Sequence, residues 1–344
     1  MKIDVFCHVT PPKFLKVFEK KVAPEICKQL PCKFLPTLTD MQARFRIMDK
    51  VAGMVQVLTL TNPPVELVAE PPVAIELART VNDEMAELVE KHPDYFVGAV
   101  ACLPMNDMDA ALKEADRAIK ELHHCGVQIY SHIMGKPLDS PEFMPLYEKM
   151  AKYDLPIWIH PFFQSVGVAK DAQKFDTYRV FAGEKDRAGE MERGGFQIAF
   201  GTPLAMTRLV YSRVFDKYPN IKFITHHCGS CMPYFANRVE MHYAMYAARE
   251  GIDHGFNKPI LDYYRKFYGD TALHGNVSAL MCGYSFFGAE HILFGTDMPF
   301  DAEVGAWSVR KTVESIEKMP IPEAERKLIW EDNAKKLMRL KLKK

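Results

Sequence analysis

Histidines and one aspartate stand where predicted strands end, and these residue types suit the binding of a divalent metal ion. The last predicted strand ends in Gly-Thr-Asp297 before a proline, which cannot extend strand pairing. The other polar strand ends are His8, His160 and the neighbours His226 and His227. Each histidine alone is more often a hydrogen-bonded structural residue, and an aspartate before a turn is often a cap. Together they form a ligand set for a catalytic ion that keeps an open position for water or substrate.

Eight segments carry the pattern of buried strands, in which apolar residues alternate or run together and a turn residue follows. They are residues 1–9, 51–60, 96–103, 127–133, 156–160, 222–228, 267–272 and 291–297. Between them, apolar residues recur at helical spacing, as in Ala78, Val81 and Met85. A further helix is predicted to start at Thr202 and Pro203, a good cap followed by a good first residue.

Eight strands alternating with helices predict a parallel sheet closed into a (β/α)8 TIM barrel, with one domain spanning residues 1–344. The alternative is an open doubly wound sheet, which usually carries a glycine-rich phosphate loop after its first strand. This chain has none there. In a barrel the carboxyl ends of the strands meet at one rim, so the polar strand ends converge. Adjacent strand residues point to opposite sides, so only one of His226 and His227 is expected to face the interior.

Two connections are longer than a barrel needs, and both leave the rim where the polar residues gather. Residues 11–38 follow the first strand and contain Lys28 and Lys33, while residues 162–201 follow the fifth strand and begin at Phe162. Long rim loops usually act as lids or substrate walls. The second is rich in aromatic residues, which indicates a planar, partly apolar substrate or, alternatively, a small core beneath the loop.

The composition excludes several classes of partner. The chain has 344 residues, with 44 basic and 44 acidic side chains and no net charge. Nucleic acids and anionic membranes require a basic face, so neither is expected as a partner. No stretch approaches the ~20 apolar residues of a membrane span, and the N-terminus enters a strand at once, so a cytoplasmic location is expected. Cys228 and Cys231 have the spacing of a redox pair or half a zinc knuckle, but no second such pair completes a knuckle.

Five ordered motifs resemble the amidohydrolase superfamily, within its branch of aminocarboxymuconate-semialdehyde decarboxylase-like proteins. The motifs lie at residues 3–8, 135–139, 157–161, 225–233 and 294–300. The resemblance implies a (β/α)8 barrel with one zinc or manganese ion, a homodimer, and nonoxidative decarboxylation of aromatic or enol-type acids. It implies that His8, His160 and Asp297 are metal ligands. It also implies that His227, six residues before Pro233, acts near the metal together with Asp297 as a catalytic residue.

The first motif departs from the family pattern at Phe6. The family usually has histidine, or glutamate in some decarboxylases, two residues before His8. Phe6 shares the strand face of His8, and a phenyl ring cannot donate to a metal ion. Three ligands can still hold a catalytic ion if water or substrate completes the shell. His132 beside Tyr130, and His274 after the seventh strand, are candidates for a replacement ligand or a substrate contact.

The sequence therefore predicts a carboxy-lyase that acts on a small aromatic or unsaturated carboxylic acid. Phe6, Tyr130, His132, Phe162 and His274 are the candidate substrate-binding residues, together with Lys28 and Lys33, which could reach a second anionic group. The alternative is a metal-dependent hydrolase or hydratase, in which the same ion activates a water molecule. A further alternative is a metal-free ligand-binding barrel, in which Phe6 has abolished metal binding.

Overall fold

The computed structural model describes residues 1–162, 195–196, 198–251, 255–340 and 342. Its strands are β1 Lys2–Val9, β2 Met54–Leu60, β3 Phe96–Ala99, β4 Ala101–Cys102, β5 Val127–Tyr130, β6 His132–Ile133, β7 Lys136–Pro137, β8 Ile157–His160, β9 Phe223–Thr225, β10 Tyr268–Asp270 and β11 Ile292–Leu293. Its helices are α1 Pro12–Lys21, α2 Pro24–Lys28, α3 Met41–Met48, α4 Val65–Val68, α5 Pro71–Lys91, α6 Met108–Lys120, α7 Met144–Tyr153, α8 Ile198–Tyr211, α9 Val214–Lys217, α10 Ala236–Glu250, α11 Ile260–Tyr264, α12 Val277–Phe287, α13 Ala306–Glu317, α14 Glu323–Lys327 and α15 Asn333–Met338.

All strands except β6 and β7, which pair antiparallel with each other, form a closed parallel barrel. β1 pairs with β2 and β2 with β3, and a second run of parallel pairs joins β4, β5, β8, β9, β10 and β11 in that order. β3 and β4 are two parts of one strand around Val100, whose N–H donates to Leu58 O at 2.9 Å. The ring closes where Val5 N–H donates to Phe294 O at 2.9 Å, just beyond β11. The predicted TIM barrel is confirmed, and closure excludes the open doubly wound sheet.

Apolar residues of the strands and of one face of each flanking helix make the core. All seven residues of β2 are buried, as expected for a parallel strand covered on both faces. On α5, Ala78, Val81 and Met85 are fully buried, which confirms the helical spacing seen in the sequence. This packing holds the strands in place, so the side chains at their carboxyl ends are mounted on a rigid base.

One helix boundary differs from the sequence prediction. α8 begins at Ile198 and passes through Pro203, so the predicted start at Thr202 and Pro203 is wrong. Proline lacks an N–H and removes a bond within the helix, which is why it usually marks a helix start. Here Met206 and Leu209, further along α8, are fully buried, and this packing outweighs the lost bond.

Of the two long connections, the structure describes the first in full and the second only in part. Residues 11–38 contain the short helices α1 and α2, each with a proline in its first turn. The aromatic connection at residues 162–201 lies largely outside the described residues, so its predicted role as a substrate wall stays a prediction. No helix among the residues with described structure is long and apolar enough to cross a membrane.

Candidate metal centre

His8 lies near the end of β1 and is held by hydrogen bonds on its backbone and on its ring. The guanidinium of the buried Arg44 donates to His8 O at 2.6 Å and to Gln56 Oε1 at 2.7 Å. On the ring, Nδ1 lies 3.0 Å from Thr59 Oγ1, and the Thr59 hydroxyl donates its hydrogen to Cys7 O at 2.8 Å. Since that hydrogen is already used, His8 Nδ1 carries the ring proton, and Nε2 has a free lone pair.

His160 and His226 carry the ring proton on the same nitrogen for the same reason. Nδ1 of His160, at the end of β8, lies 2.7 Å from Pro161 O, and a carbonyl can only accept. Nδ1 of His226, just after β9, bonds to the carboxylate of Asp270 at the end of β10. Acceptors of this kind fix the orientation of metal-binding histidines. One ligating atom from each of His8, His160 and His226 lies within 4.8 Å of the others.

Asp297 presents its two oxygens to different sets of histidines. Oδ1 lies 3.2 Å from Nε2 of His8 and 3.2 Å from Nε2 of His226. Oδ2 lies 3.6 Å from Nε2 of His227 and 3.8 Å from Nε2 of His274. One oxygen therefore faces the buried imidazoles, and the other faces the more exposed side of the site.

Left-handed backbone places three of these side chains. His227, His274 and Asp297 have φ angles of 53°, 50° and 58°. A residue other than glycine in this region costs on the order of 1–3 kcal/mol, and such residues concentrate at functional sites. β9 ends at Thr225, before the histidine pair, so the alternation of a strand no longer applies. The expectation that only one of His226 and His227 faces the site is therefore wrong, because both approach Asp297.

Burial and charge set the protonation of the site. Burial lowers the pKa values of His8, His160 and His227, which favours neutral rings. Burial alone would raise the pKa of Asp297, but the charge of His226 and the hydrogen bonds from His226, His227 and His8 together hold that pKa well below its usual value. His226 behaves oppositely: burial disfavours its charged form, but the carboxylates of Asp270 and Asp297 raise its pKa to about 10. His8, His160 and His227 as neutral rings and Asp297 as a carboxylate are in the states that bind metal ions, whereas His226 has to release the proton on its Nε2 before that nitrogen can bind one.

Phe6 forms an apolar floor beneath the histidines. Its ring is fully buried and stacks on the ring of His226, with centroids 3.8 Å apart and an angle of 11° between the planes. Gly295 permits this packing, since a Cβ at that position would meet Phe6 Cβ at 3.1 Å and Asp270 Cβ at 3.0 Å. A water molecule or substrate therefore cannot reach His226 from below.

An aromatic wall borders the cluster beside His160. The Tyr130 ring lies 5.4 Å from the His160 ring and 5.6 Å from the Phe162 ring, and His132 lies 5.8 Å from Phe162. Phe162 also lines a cavity of about 340 Å³ with residues such as Leu30 that follow β1. Tyr130, His132 and Phe162 are thus brought together on one side, while His274 lies on the opposite side of Asp297 from His8.

The two lysines are not brought into the cluster. Lys28 is exposed at the end of α2, and Lys33 is exposed and pairs with Glu19 at 2.5 Å. A contact of either lysine with a substrate stays a prediction.

Two buried acids were missed in the sequence. Asp270 follows a glycine at the end of β10, the same kind of position that singled out Asp297, and this signal could have identified it. Asp4 accepts hydrogen bonds from Thr296 N at 3.0 Å, from Thr296 Oγ1 at 2.6 Å and from Gln56 Nε2 at 3.1 Å. It thereby ties β1 to the segment that carries Asp297. Nothing in the sequence around Asp4 distinguishes it from an ordinary strand residue.

The donor set fits a single divalent ion. Nε2 of His8 and Nε2 of His226 are buried, and neither makes a hydrogen bond of good geometry within the described part of the chain. A buried polar atom without a hydrogen bond is costly, and a cation between these nitrogens and Asp297 would satisfy them. Imidazole nitrogens with a carboxylate suit both zinc and manganese, as expected from the sequence.

The chain is similar to several known decarboxylases. The chain is 31% identical over 315 residues to a gamma-resorcylate decarboxylase from Polaromonas, covering 88% of this chain and 89% of that protein. It is 28% identical to the 2-amino-3-carboxymuconate-6-semialdehyde decarboxylase of Dictyostelium discoideum, covering 76% and 67%. The solved structure of a Polaromonas dihydroxybenzoic acid decarboxylase, with bound manganese and the inhibitor 2-nitroresorcinol, superposes with a TM-score of 0.77 at 28% identity, covering 98% and 96%.

The match extends to the family as a whole. The amidohydrolase family matches residues 3–340, which include every histidine and carboxylate of the cluster. The resemblance expected from the five motifs is thus confirmed, as is the barrel that it implies. With its polar strand ends gathered at one rim of a closed barrel, this chain belongs to the amidohydrolase family.

Proposed function

We propose that the protein is a metal-dependent nonoxidative decarboxylase of a small aromatic carboxylic acid that carries an oxygen next to the carboxylate. This proposal depends mainly on the orientation of the Asp297 carboxylate. Its Oδ1 faces His8 and His226, and its Oδ2 faces His227 and His274. One carboxylate can thus serve as a ligand through one oxygen and handle a proton through the other. The similar proteins from Polaromonas and Dictyostelium discoideum are decarboxylases, which supports the same reaction here.

The chain's own residues have distinct roles in this reaction. His8, His160 and Asp297 would hold the ion, which would draw electron density from the substrate carboxylate and the neighbouring oxygen. Asp297 Oδ2, which is ionised at rest, would take up a proton from solvent by way of His227 and pass it to the ring carbon that bears the carboxylate. The bond from that carbon to the carboxylate then breaks, carbon dioxide leaves, and the electron pair of the bond restores the aromatic ring.

The aromatic wall supports a planar substrate. Tyr130 and Phe162 lie at an angle of 74° to each other beside His160, so a ring placed against them would be held near the cluster. Phe6 lies under His226, where it keeps water from the far side of the ligands. Exclusion of water strengthens the interaction of fixed charges with the reacting carboxylate.

A screen of aromatic acids tests the proposal. Protein loaded with Mn²⁺ or Zn²⁺ is incubated with 2,6-dihydroxybenzoate and with other hydroxylated benzoates, and both carbon dioxide and the arene product are measured. Asp297→Asn is the matched variant, because asparagine tolerates left-handed backbone and retains one oxygen. We expect this variant to lose roughly 10²–10⁴-fold in kcat, the usual contribution of a positioned proton donor.

The same screen separates the rival functions. Ring opening or hydration without carbon dioxide would identify a hydrolase or hydratase, which would use the same residues to activate water. Tight binding of acids by protein that takes up no ion would identify the metal-free ligand-binding barrel. Either result contradicts the decarboxylase proposal.

We further propose that residues 1–344 form one domain, that the protein is a cytoplasmic homodimer, and that it acts without a nucleic acid or membrane partner. The absence of net charge supports the last point. Light scattering during size-exclusion chromatography measures the mass of the assembly. A mass near that of one 39.3 kDa chain would contradict the dimer.

A further inference from the structure

The ring of His226 has the environment of a metal ligand, and the ring of His227 does not. Nδ1 of His226 bonds to Asp270, just as Nδ1 of His8 and of His160 bonds to Thr59 and to Pro161. Nδ1 of His227 is buried and has no hydrogen-bond partner in the residues that the structure covers. Three imidazoles are therefore oriented by an acceptor behind the ring, which is the arrangement typical of bound metals.

His226 also lies at the centre of the possible ligand groups. Among the described residues, one group of potential ligands is His8, His160 and His226, and a second is His226, His227 and Asp297. His226 belongs to both. Its Nε2 is 3.2 Å from Asp297 Oδ1, the oxygen that His8 Nε2 approaches at the same distance. An ion that contacts His8 and Asp297 would therefore meet Nε2 of His226 as well.

Phe6 lies against all three of these histidines. The Phe6 ring lies 5.7 Å from the His8 ring, 5.8 Å from the His160 ring and 3.8 Å from the His226 ring. Position 6 thus borders the ligand cluster but offers only carbon atoms. The apolar ring packs against His226 and supports it from the face opposite His227, whose ring stacks at 3.9 Å.

We propose that His226, held by Asp270, is a metal ligand of this protein, so that the ion is bound by His8, His160, His226 and Asp297. His227 then remains free to handle protons. Asp270 is a positioning residue that acts through His226, and its backbone contacts support that role, since its Oδ1 accepts from Ala272 N at 2.9 Å. The inference rests on the proposed function in one respect, because it takes the presence of a divalent ion from it.

Metal affinity tests the assignment without any assay of activity. Protein stripped with a chelator is titrated with Mn²⁺ by calorimetry, and the visible spectrum is recorded with Co²⁺. We expect His226→Gln to weaken Mn²⁺ binding by more than roughly 100-fold and Asp270→Asn to weaken it by roughly 10- to 100-fold, as measured for residues behind metal ligands. His227→Gln is the matched comparison and keeps the wild-type affinity. His291→Gln, a histidine stacked on Tyr268 outside the cluster, does the same.

A rescue variant guards against a trivial loss of fold. Because position 6 borders the cluster, Phe6→His in the His226→Gln background is expected to restore binding and to return a Co²⁺ spectrum of imidazole character. Circular dichroism of the stripped variants checks the fold. If His226→Gln does not fold, Asp270→Asn decides, and a folded Asp270→Asn protein with wild-type affinity overturns the inference.

The remaining outcomes separate this inference from the proposed function. Wild-type affinity in His226→Gln, or an equal loss in His227→Gln, overturns the assignment of His226 but leaves a metal-dependent decarboxylase intact. A wild-type protein that binds an ion through His226 but releases no carbon dioxide supports the inference and contradicts the function. A wild-type protein that takes up no divalent ion overturns both.

Discussion

The first strand and the last three strands bring residues to the same cluster by different means. β1 is eight residues long, and His8 pairs with Thr59 of β2, after a register shift between Asp4 and Cys7, in extended backbone that Arg44 holds from α3. β9, β10 and β11 have three, three and two residues, and His227, His274 and Asp297, which follow them, stand on left-handed backbone. A strand that is paired up to its end can fix one ring rigidly. Irregular strand ends can direct neighbouring residues such as His226 and His227 to one point, which an extended strand cannot do.

The largest effects are expected from substituting His8, which lies on β1, and His227, which follows β9. His8→Gln is expected to abolish both metal binding and decarboxylation, because the ligand from β1 is lost. His227→Gln is expected to lower kcat by roughly 10²–10⁴-fold, the range for proton transfer, while the ion remains bound. Metal content by mass spectrometry and carbon dioxide release are measured on the same samples. If His227→Gln retains full activity, the side chain of His227 transfers no proton in the reaction.

A smaller effect is expected from the support behind His8. Thr59→Val removes the acceptor of His8 Nδ1, and we expect Mn²⁺ affinity to fall by roughly 10- to 100-fold. Thr61→Val is the matched control, because the hydroxyl of Thr61 is also buried but has no hydrogen-bond partner among the described residues. Calorimetric titration of both variants measures the difference. Equal affinities would mean that β1 orients His8 by packing alone.

The smallest effect concerns Asp4, which joins the two regions. Burial raises the pKa of Asp4 to about 6, so the folded protein keeps this carboxyl group neutral to a higher pH than the unfolded chain does. Stability from this group is therefore greatest below its ordinary pKa near 4 and falls as the pH rises to 6, by at most about 3 kcal/mol. The advantage of the wild-type protein over Asp4→Asn in the free energy of unfolding should shrink over that range.

Urea unfolding at several pH values between 4.5 and 6.5 measures this advantage. Comparison with the variant cancels the contributions of the other titrating groups. An advantage that is constant or grows with pH would show that Asp4 is ionised in the folded protein, and that its bonds to Thr296 stabilise the charged form.

Much of the barrel and part of the site could be predicted because they depend on local patterns. Apolar periodicity identified the strands and the buried face of α5, and polar residues at strand ends identified His8, His160 and Asp297. The helices after β1 were treated as a long loop, although Pro12 and Pro24 are typical first-turn residues.

The contact between Asp270 and His226 could not be predicted from such local patterns. Their hydrogen bond depends on the pairing of β9 with β10 and on the end of β9 at Thr225, and both are set by packing between distant segments. The six-residue spacing to Pro233 singled out His227, but spacing does not show which ring nitrogen has an acceptor behind it.

Gly295 has a consequence for experiments that substitute every position of the chain. A Cβ there would lie only 3.0 Å from Asp270 Cβ and 3.1 Å from Phe6 Cβ, so larger residues would push the floor of the site and Asp270 apart. Position 295 would then tolerate replacement as poorly as Asp297, although glycine takes no part in the chemistry. In a saturation mutagenesis map, intolerance at Gly295 would therefore reflect the close packing of β1, β10 and the segment after β11. It should not be taken as evidence that this residue touches the substrate.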